Sequence, residues 1–216
     1  MRNLIKGDIP QILVEREADW TQELMDYIQS EQKVPKTVKS RYNDKNIKNA
    51  LMAETNDKCA YCESKITHIS HGDIEHILPK SKVHDKTFSW DNLTIGCSIC
   101  NLNKKDYYDP STPLLNPYTD NPEKKLIFCG PLIFSAAGEI SAEVTIKILK
   151  LDRTELLERR VEHLNNLDPL LKQFQLSENP TLKELILNDI KNMYKSDKEF
   201  SLMTEQFVNQ RLLVTA

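Results

Sequence analysis

The sequence predicts an α+β protein, a small module of two short strands and a helix set between helical flanks. Two Cys-x-x-Cys pairs, Cys59/Cys62 and Cys97/Cys100, frame a stretch whose apolar runs are too short for long helices. Outside that stretch, apolar residues recur at helical spacing. The 216 residues, 39% hydrophobic and 28% charged, suffice for one or two packed domains. The organisation expected is an N-terminal helical segment over 1–55, the cysteine module over 56–108, and a linker, short strands and C-terminal helices over 109–216.

In the first segment, residues 15–30 read as a helix with Trp20, Leu24, Tyr27 and Ile28 along one side. Pro35 interrupts, and a second helix is predicted from Thr37 to about Glu54, with Val38, Ile47, Ala50 and Leu51 as its apolar positions. Residues 31–50 carry six basic side chains against two acidic ones, so this segment is locally positive although the whole chain is at −3. Arg41, Lys45 and Lys48, at i, i+4 and i+7, would share one helix face, open to solvent or to phosphate. The global balance argues mildly against a nucleic-acid binder that acts alone.

Within the module, strands are expected at residues 74–78 and 92–95, followed by a helix of one or two turns. So few apolar side chains cannot make a self-sufficient core, and the unit needs a staple. After it, Pro110, Pro113, Pro117 and Pro122 exclude regular structure over 109–123. Residues 126–128 and the alternating 144–148 read as strands. Capping-box pairs Asp152/Glu155, Thr181/Glu184 and Ser196/Glu199 then open three helices, with stripes Leu157, Val161, Leu164; Leu182, Ile186, Ile190, Met193; and Phe200, Met203, Phe207.

Four of five cysteines sit in x2 spacings, which suits thiolate ligands in a reducing compartment better than a secreted disulfide framework. Residues 1–8 lack the apolar core of a signal peptide and no run approaches a membrane span, so cytoplasmic residence is expected. A Cys-x2-Cys turn supplies two sulfurs with the bite zinc prefers, and two such turns complete a tetrahedral site. Cys59, Cys62, Cys97 and Cys100 are therefore the expected structural zinc ligands. A closed four-sulfur site has no open position, so chemistry must lie elsewhere. Cys129 is expected to be a buried small hydrophobe.

Between the cysteine pairs stand Gly72-Asp73-Ile74-Glu75-His76-Ile77-Leu78-Pro79-Lys80 and Trp90-Asp91-Asn92-Leu93, and the second pair runs on into Asn101-Leu102-Asn103-Lys104. At these spacings residues 59–105 resemble the HNH endonuclease family, whose fold is a ββα-metal finger, in its zinc-supported subgroup. The resemblance implies that His76 is the general base, that Glu75 and Asn101 hold one catalytic Mg²⁺ or Mn²⁺, and that Asn92 ties the hairpin loop together. It also implies that Lys104 leans on a phosphate. Asn101 stands where many relatives carry a second histidine, and an amide oxygen suits a hard cation better than an imidazole does. Adjacent residues on a regular strand point to opposite faces, so Glu75 and His76 converge only if the strand is distorted. His68, His71 and His84 match no position of the pattern; Asp73 either orients His76 or simply starts the strand.

Residues 1–6, Cys59-Ala60-Tyr61-Cys62-Glu63, Leu114-Leu115-Asn116-Pro117-Tyr118 and residues 145–153 extend the likeness: together they resemble the PtuB proteins, HNH nuclease subunits of Septu anti-phage systems and of some retrons. That resemblance implies a PtuA-like ABC-type ATPase partner and an effector role in defence against phage. DNA is the substrate expected. RNA such as tRNA, or a zinc-finger adaptor whose nuclease residues are relics, are the alternatives.

Overall fold

The computed structural model describes residues 1–66 and 72–213, so His68 and His71 lie outside the described residues. The chain divides into two compact units. One comprises Leu4–Ala60 and Lys65–Ser111; the other comprises Met1–Asn3, Tyr61–Ser64 and Thr112–Ala216.

In the first unit, helix α1 (Gln11–Gln29) begins directly after Pro10, a residue that cannot continue a helix backwards. The expected apolar side packs as a cluster: Leu24, Val38 and Phe88 are buried, with Trp20, Tyr27, Ile28, Val34 and Tyr42 against them. The Trp20 and Phe88 rings meet edge-on at 5.6 Å. The single helix expected over 37–54 is instead two, α2 (Lys36–Lys39) and α3 (Lys45–Thr55). The break has a local cause. Asp44 adopts extended backbone and its carboxylate accepts from the N–H groups of Asn46 and Ile47, capping a new helix. Arg41 consequently lies between the helices and pairs with Glu23 at 2.6 Å, so the basic triplet does not share one helix face. Ile47 and Leu51 of α3 are fully buried against the sheet, and Asn56 ends the helix in the left-handed region.

Strand β1 (Asp73–His76) pairs antiparallel with β2 (Leu93–Gly96), with Asp73 opposite Gly96 and His76 opposite Leu93. Helix α4 (Ser98–Lys104) follows. This is the strand–strand–helix order expected. Gly72 enters β1 at φ +67, and a Cβ there would stand 3.0 Å from Ile66 Cγ2, so both backbone and space call for glycine. The N-terminal segment is tied to the hairpin: Lys6 Nζ donates to the Leu93 carbonyl at 2.6 Å and to Glu54 at 3.0 Å, and Trp90 donates to the Gly7 carbonyl.

In the second unit, α5 (Pro122–Lys125) leads into a hairpin of β3 (Leu126–Cys129) and β4 (Leu132–Ser135). Residues 144–148, expected as a strand, belong to α6 (Ile140–Leu149). Ala142, Thr145, Ile146 and Leu149 are all buried, which is a helical spacing that β-branched composition concealed. The strand that pairs with β3 is β4, six residues downstream of its start. Cys129 is exposed, not buried, because Phe128 points inward and the strand alternates.

Helices α7 (Thr154–Leu176), α8 (Pro180–Met193) and α9 (Ser201–Leu213) complete the chain. None starts at the capping box expected. Thr154 opens α7, Asn179 caps α8 through Leu182 N–H, and α9 starts five residues after Ser196. The buried face of α7 is Leu156, Arg160, Leu164, Leu167 and Leu171; of the expected stripe, Leu164 is buried, Leu157 half-buried and Val161 exposed. Gln206 and Gln210 of α9 hydrogen-bond to the main chain of Leu126 and Phe128, covering the open edge of β3.

Candidate functional site

The two cysteine pairs come together. Cys59 and Cys62 flank one turn, which Ala60 fixes beside β2 by donating to the Ile95 carbonyl at 2.9 Å. Cys97 caps α4, its sulfur accepting from Cys100 N–H, and Cys100 lies one turn on. All four are buried, and their Sγ atoms lie within 4.8 Å of one another. A tetrahedral ion with Zn–S of about 2.3 Å needs sulfurs about 3.8 Å apart, so these four can hold a metal ion with small adjustments.

A second cluster lies along the seam between β1 and α4. Asp73 and Glu75 project from the same face of β1, two residues apart; Asn101 and Lys104 share a face of α4, three apart. The pairs interlock. Asn101 Nδ2 donates to Asp73 Oδ2 at 3.3 Å, and Lys104 Nζ donates to Glu75 Oε1 at 2.7 Å. Lys104 also donates to the His76 carbonyl at 2.7 Å. The expectation that Lys104 leans on a phosphate is therefore corrected. Its side chain is 2% exposed, and its ammonium neutralises the buried Glu75 carboxylate instead of facing solvent. Burial still raises the Glu75 pKa above the usual carboxylate range, with Lys104 opposing that rise.

His76 is the buried end of β1. Its pairing with Leu93 is regular, and the strand alternation sends the two neighbours to different partners: Glu75 meets α4, His76 meets the loop and Tyr42. His76 Nε2 lies 2.9 Å from the Thr87 carbonyl, and the Tyr42 ring meets the imidazole edge-on at 4.6 Å. A carbonyl only accepts, so Nε2 carries the proton and Nδ1 the lone pair. Burial first, and the nearby Lys80 ammonium second, push the imidazole pKa down to about 3. The ring is thus a neutral base at neutral pH.

Asn92 holds the intervening loop. Its Oδ1 accepts from Leu78 N–H at 2.7 Å, and its Nδ2 donates to the Leu78 and Lys86 carbonyls at 3.0 and 2.9 Å. One amide thereby fixes both ends of the loop that carries Thr87 to His76. Tyr42, Thr87 and Lys80 were missed by sequence reasoning. Lys80 hydrogen-bonds the Tyr42 hydroxyl, and nothing in Arg41-Tyr42-Asn43 marks that tyrosine as a partner of His76. Asp73, left between two roles by the sequence, is the hydrogen-bond partner of Asn101.

Residues 59–107, which contain the cysteine cage, the β1–α4 seam and the Asn92 loop, match the family model described as HNH endonuclease. This segment is an HNH endonuclease domain. Over more of its length the chain is similar to the Septu protein PtuB of Bacillus mycoides (strain KBAB4), 29% identical over 199 residues. That match covers 78% of this chain and 65% of the relative. The Septu protein PtuB of Bacillus thuringiensis is 26% identical over 190 residues, covering 84% of this chain and 69% of the relative. The chain thus spans about two thirds of the length of these relatives. The expected resemblance to HNH endonucleases and to PtuB proteins is borne out. Among the described residues no helix is long and apolar enough to cross a membrane.

Proposed function

We propose that this chain is a divalent-metal-dependent endonuclease that hydrolyses phosphodiester bonds of DNA. In this reading it acts in the cytoplasm as the effector subunit of a Septu-type anti-phage system, together with a PtuA-like ABC-type ATPase. The observation that carries it is the neutral, tethered imidazole of His76, one residue from the β1–α4 seam of an HNH domain. Zinc in the four-cysteine cage would be structural, since four thiolates leave no position for substrate.

Oxygen donors of the kind a hard cation takes stand along the seam. Glu75 offers its second oxygen, Oε2, Asn101 its amide Oδ1, and Asp73 a further carboxylate beside them. Mg²⁺ or Mn²⁺ held there would offset the charge that develops on the phosphate oxygens. His76 takes the proton of the attacking water at Nδ1, while its Nε2–H remains on the Thr87 carbonyl. Low intrinsic basicity is a cost in this pocket, and an anionic phosphate beside the ring raises it toward neutrality. Asn92 acts indirectly, by fixing the loop that supplies the Thr87 carbonyl.

The test is cleavage of plasmid DNA, with the chain alone and with the ATPase, in Mg²⁺ and in Mn²⁺. His76→Ala should remove cleavage by at least about 10²-fold and leave fold and zinc content unchanged. Retained cleavage by that variant would refute the assignment. Total RNA assayed beside the plasmid identifies the polymer.

A further inference from the structure

Next to His76 lies a cavity of about 290 Å³ that the hydrolytic reading leaves unused. Its apolar wall is Leu24 and Ile28 of α1 with Val34, from the α1–α2 connection. Its polar wall is Lys39 of α2 and, from the loop after β1, Lys80, Ser81, His84 and Thr87. None of the lining residues is acidic. Among the described residues, neither the Ser81 hydroxyl nor the His84 ring makes a hydrogen bond, so both are available to a ligand.

Two of the lining residues are also neighbours of the candidate base. Thr87 presents its carbonyl to His76 Nε2 at 2.9 Å. Lys80 bonds Tyr42, whose ring packs on the His76 imidazole. The cavity therefore shares Thr87 and Lys80 with the surroundings of His76, and Lys39 and Lys80 are both exposed.

We propose that this cavity is a nucleobase subsite that takes one unpaired base of the DNA strand being cut. The proposal rests on the nuclease reading for the placement of the strand, while the cavity itself can be tested without cleavage. Its size lies near the lower end of small-molecule sites, roughly 300–1,000 Å³, which suits one ring system. The aliphatic wall takes the face of a base, Ser81 and His84 meet its polar edge, and the two lysines receive the adjoining phosphates. A base can enter only when out of its stack, so the site selects single-stranded, nicked or locally opened DNA.

The experiment uses the full-length His76→Ala protein and a single-stranded oligonucleotide carrying one 2-aminopurine, whose fluorescence rises on unstacking. Binding should raise the signal, and replacing that nucleotide by an abasic site should weaken binding at least about fivefold. Ser81→Trp, at an exposed position, should fill the cavity and abolish the rise; Lys39→Ala should weaken binding severalfold. Unchanged zinc content and melting temperature exclude misfolding of either variant. In the His76-intact protein, mapped cut sites should show a base preference at one position that Ser81→Trp flattens.

Equal binding of the abasic strand, or a signal and cut profile unaffected by Ser81→Trp, would overturn the subsite. So would displacement of the oligonucleotide by an equal concentration of free nucleoside monophosphate, which would mark a free-nucleotide site. Cleavage with no base preference and no fluorescence rise sinks the subsite and spares the nuclease. A fluorescence rise without cleavage by any version does the reverse.

Discussion

Replacing Lys104 by methionine keeps the aliphatic stem and removes the only ammonium within hydrogen-bond distance of Glu75 among the described residues. The N–O distance is 2.7 Å and the two side chains are 2% and 8% exposed. At an effective dielectric of about 20 their attraction is roughly 6 kcal/mol, which desolvation largely offsets while the pair is intact. Breaking the pair leaves a buried carboxylate unpaired, so Lys104→Met should cost about 3–5 kcal/mol. Both tryptophans of the chain, Trp20 and Trp90, lie in the unit containing this pair, so tryptophan fluorescence during urea unfolding reports that unit. The double variant Lys104→Met/Glu75→Leu should recover at least half of the loss, because neither charge then remains buried. If Glu75 ligates a cation, Mg²⁺ should stabilise Lys104→Met more than wild type. A cost below about 1 kcal/mol, or no recovery in the double variant, would refute the pairing as the determinant of this site.

Cys97→Ser should release the bound metal, measured by elemental analysis, and unfold the finger, because a structural zinc contributes on the order of 10 kcal/mol. Asn92→Ala should destabilise by about 2–4 kcal/mol from three lost hydrogen bonds. Asn92→Asp should fare no better, since a carboxylate would face the Leu78 and Lys86 carbonyls; urea midpoints test both. The folded-state pKa of His76 is about 3, below its ordinary 6.5, so the unfolded chain binds the proton first. Its contribution to stability is complete above pH 6.5 and is lost as pH falls toward 3, at up to about 1.4 kcal/mol per unit. The difference between wild type and His76→Ala, measured from pH 7 to pH 4, should shrink over that window and stay flat above it.

What could be read from the chain alone followed from short-range rules. Cys-x2-Cys turns have a fixed bite, so the cage was legible from spacing, as was the strand–strand–helix order between the pairs. Trp20, Leu24, Tyr27 and Ile28 recur at helical spacing, and they pack as that spacing requires. Elements decided by neighbours were read wrongly. Residues 144–148 carry β-branched side chains, but burial at Ala142, Thr145, Ile146 and Leu149 makes them helical. Strand β4 carries the unbroken apolar run Leu132-Ile133-Phe134, which shows no alternation in composition although only Ile133 is buried.

The order of residues alone says which types stand near one another: two pairs of thiols, a carboxylate beside an imidazole, and amides at set distances. Packing sets what each of them touches. The family resemblance implied a phosphate contact for Lys104, yet α4 packs on β1 so closely that its ammonium finds Glu75 and the His76 carbonyl. His76 owes its tautomer to the carbonyl of Thr87, eleven residues away, and its ring packing to Tyr42. Such long-range partners are set by how the loop and helices close over the hairpin, and local sequence carries no record of them.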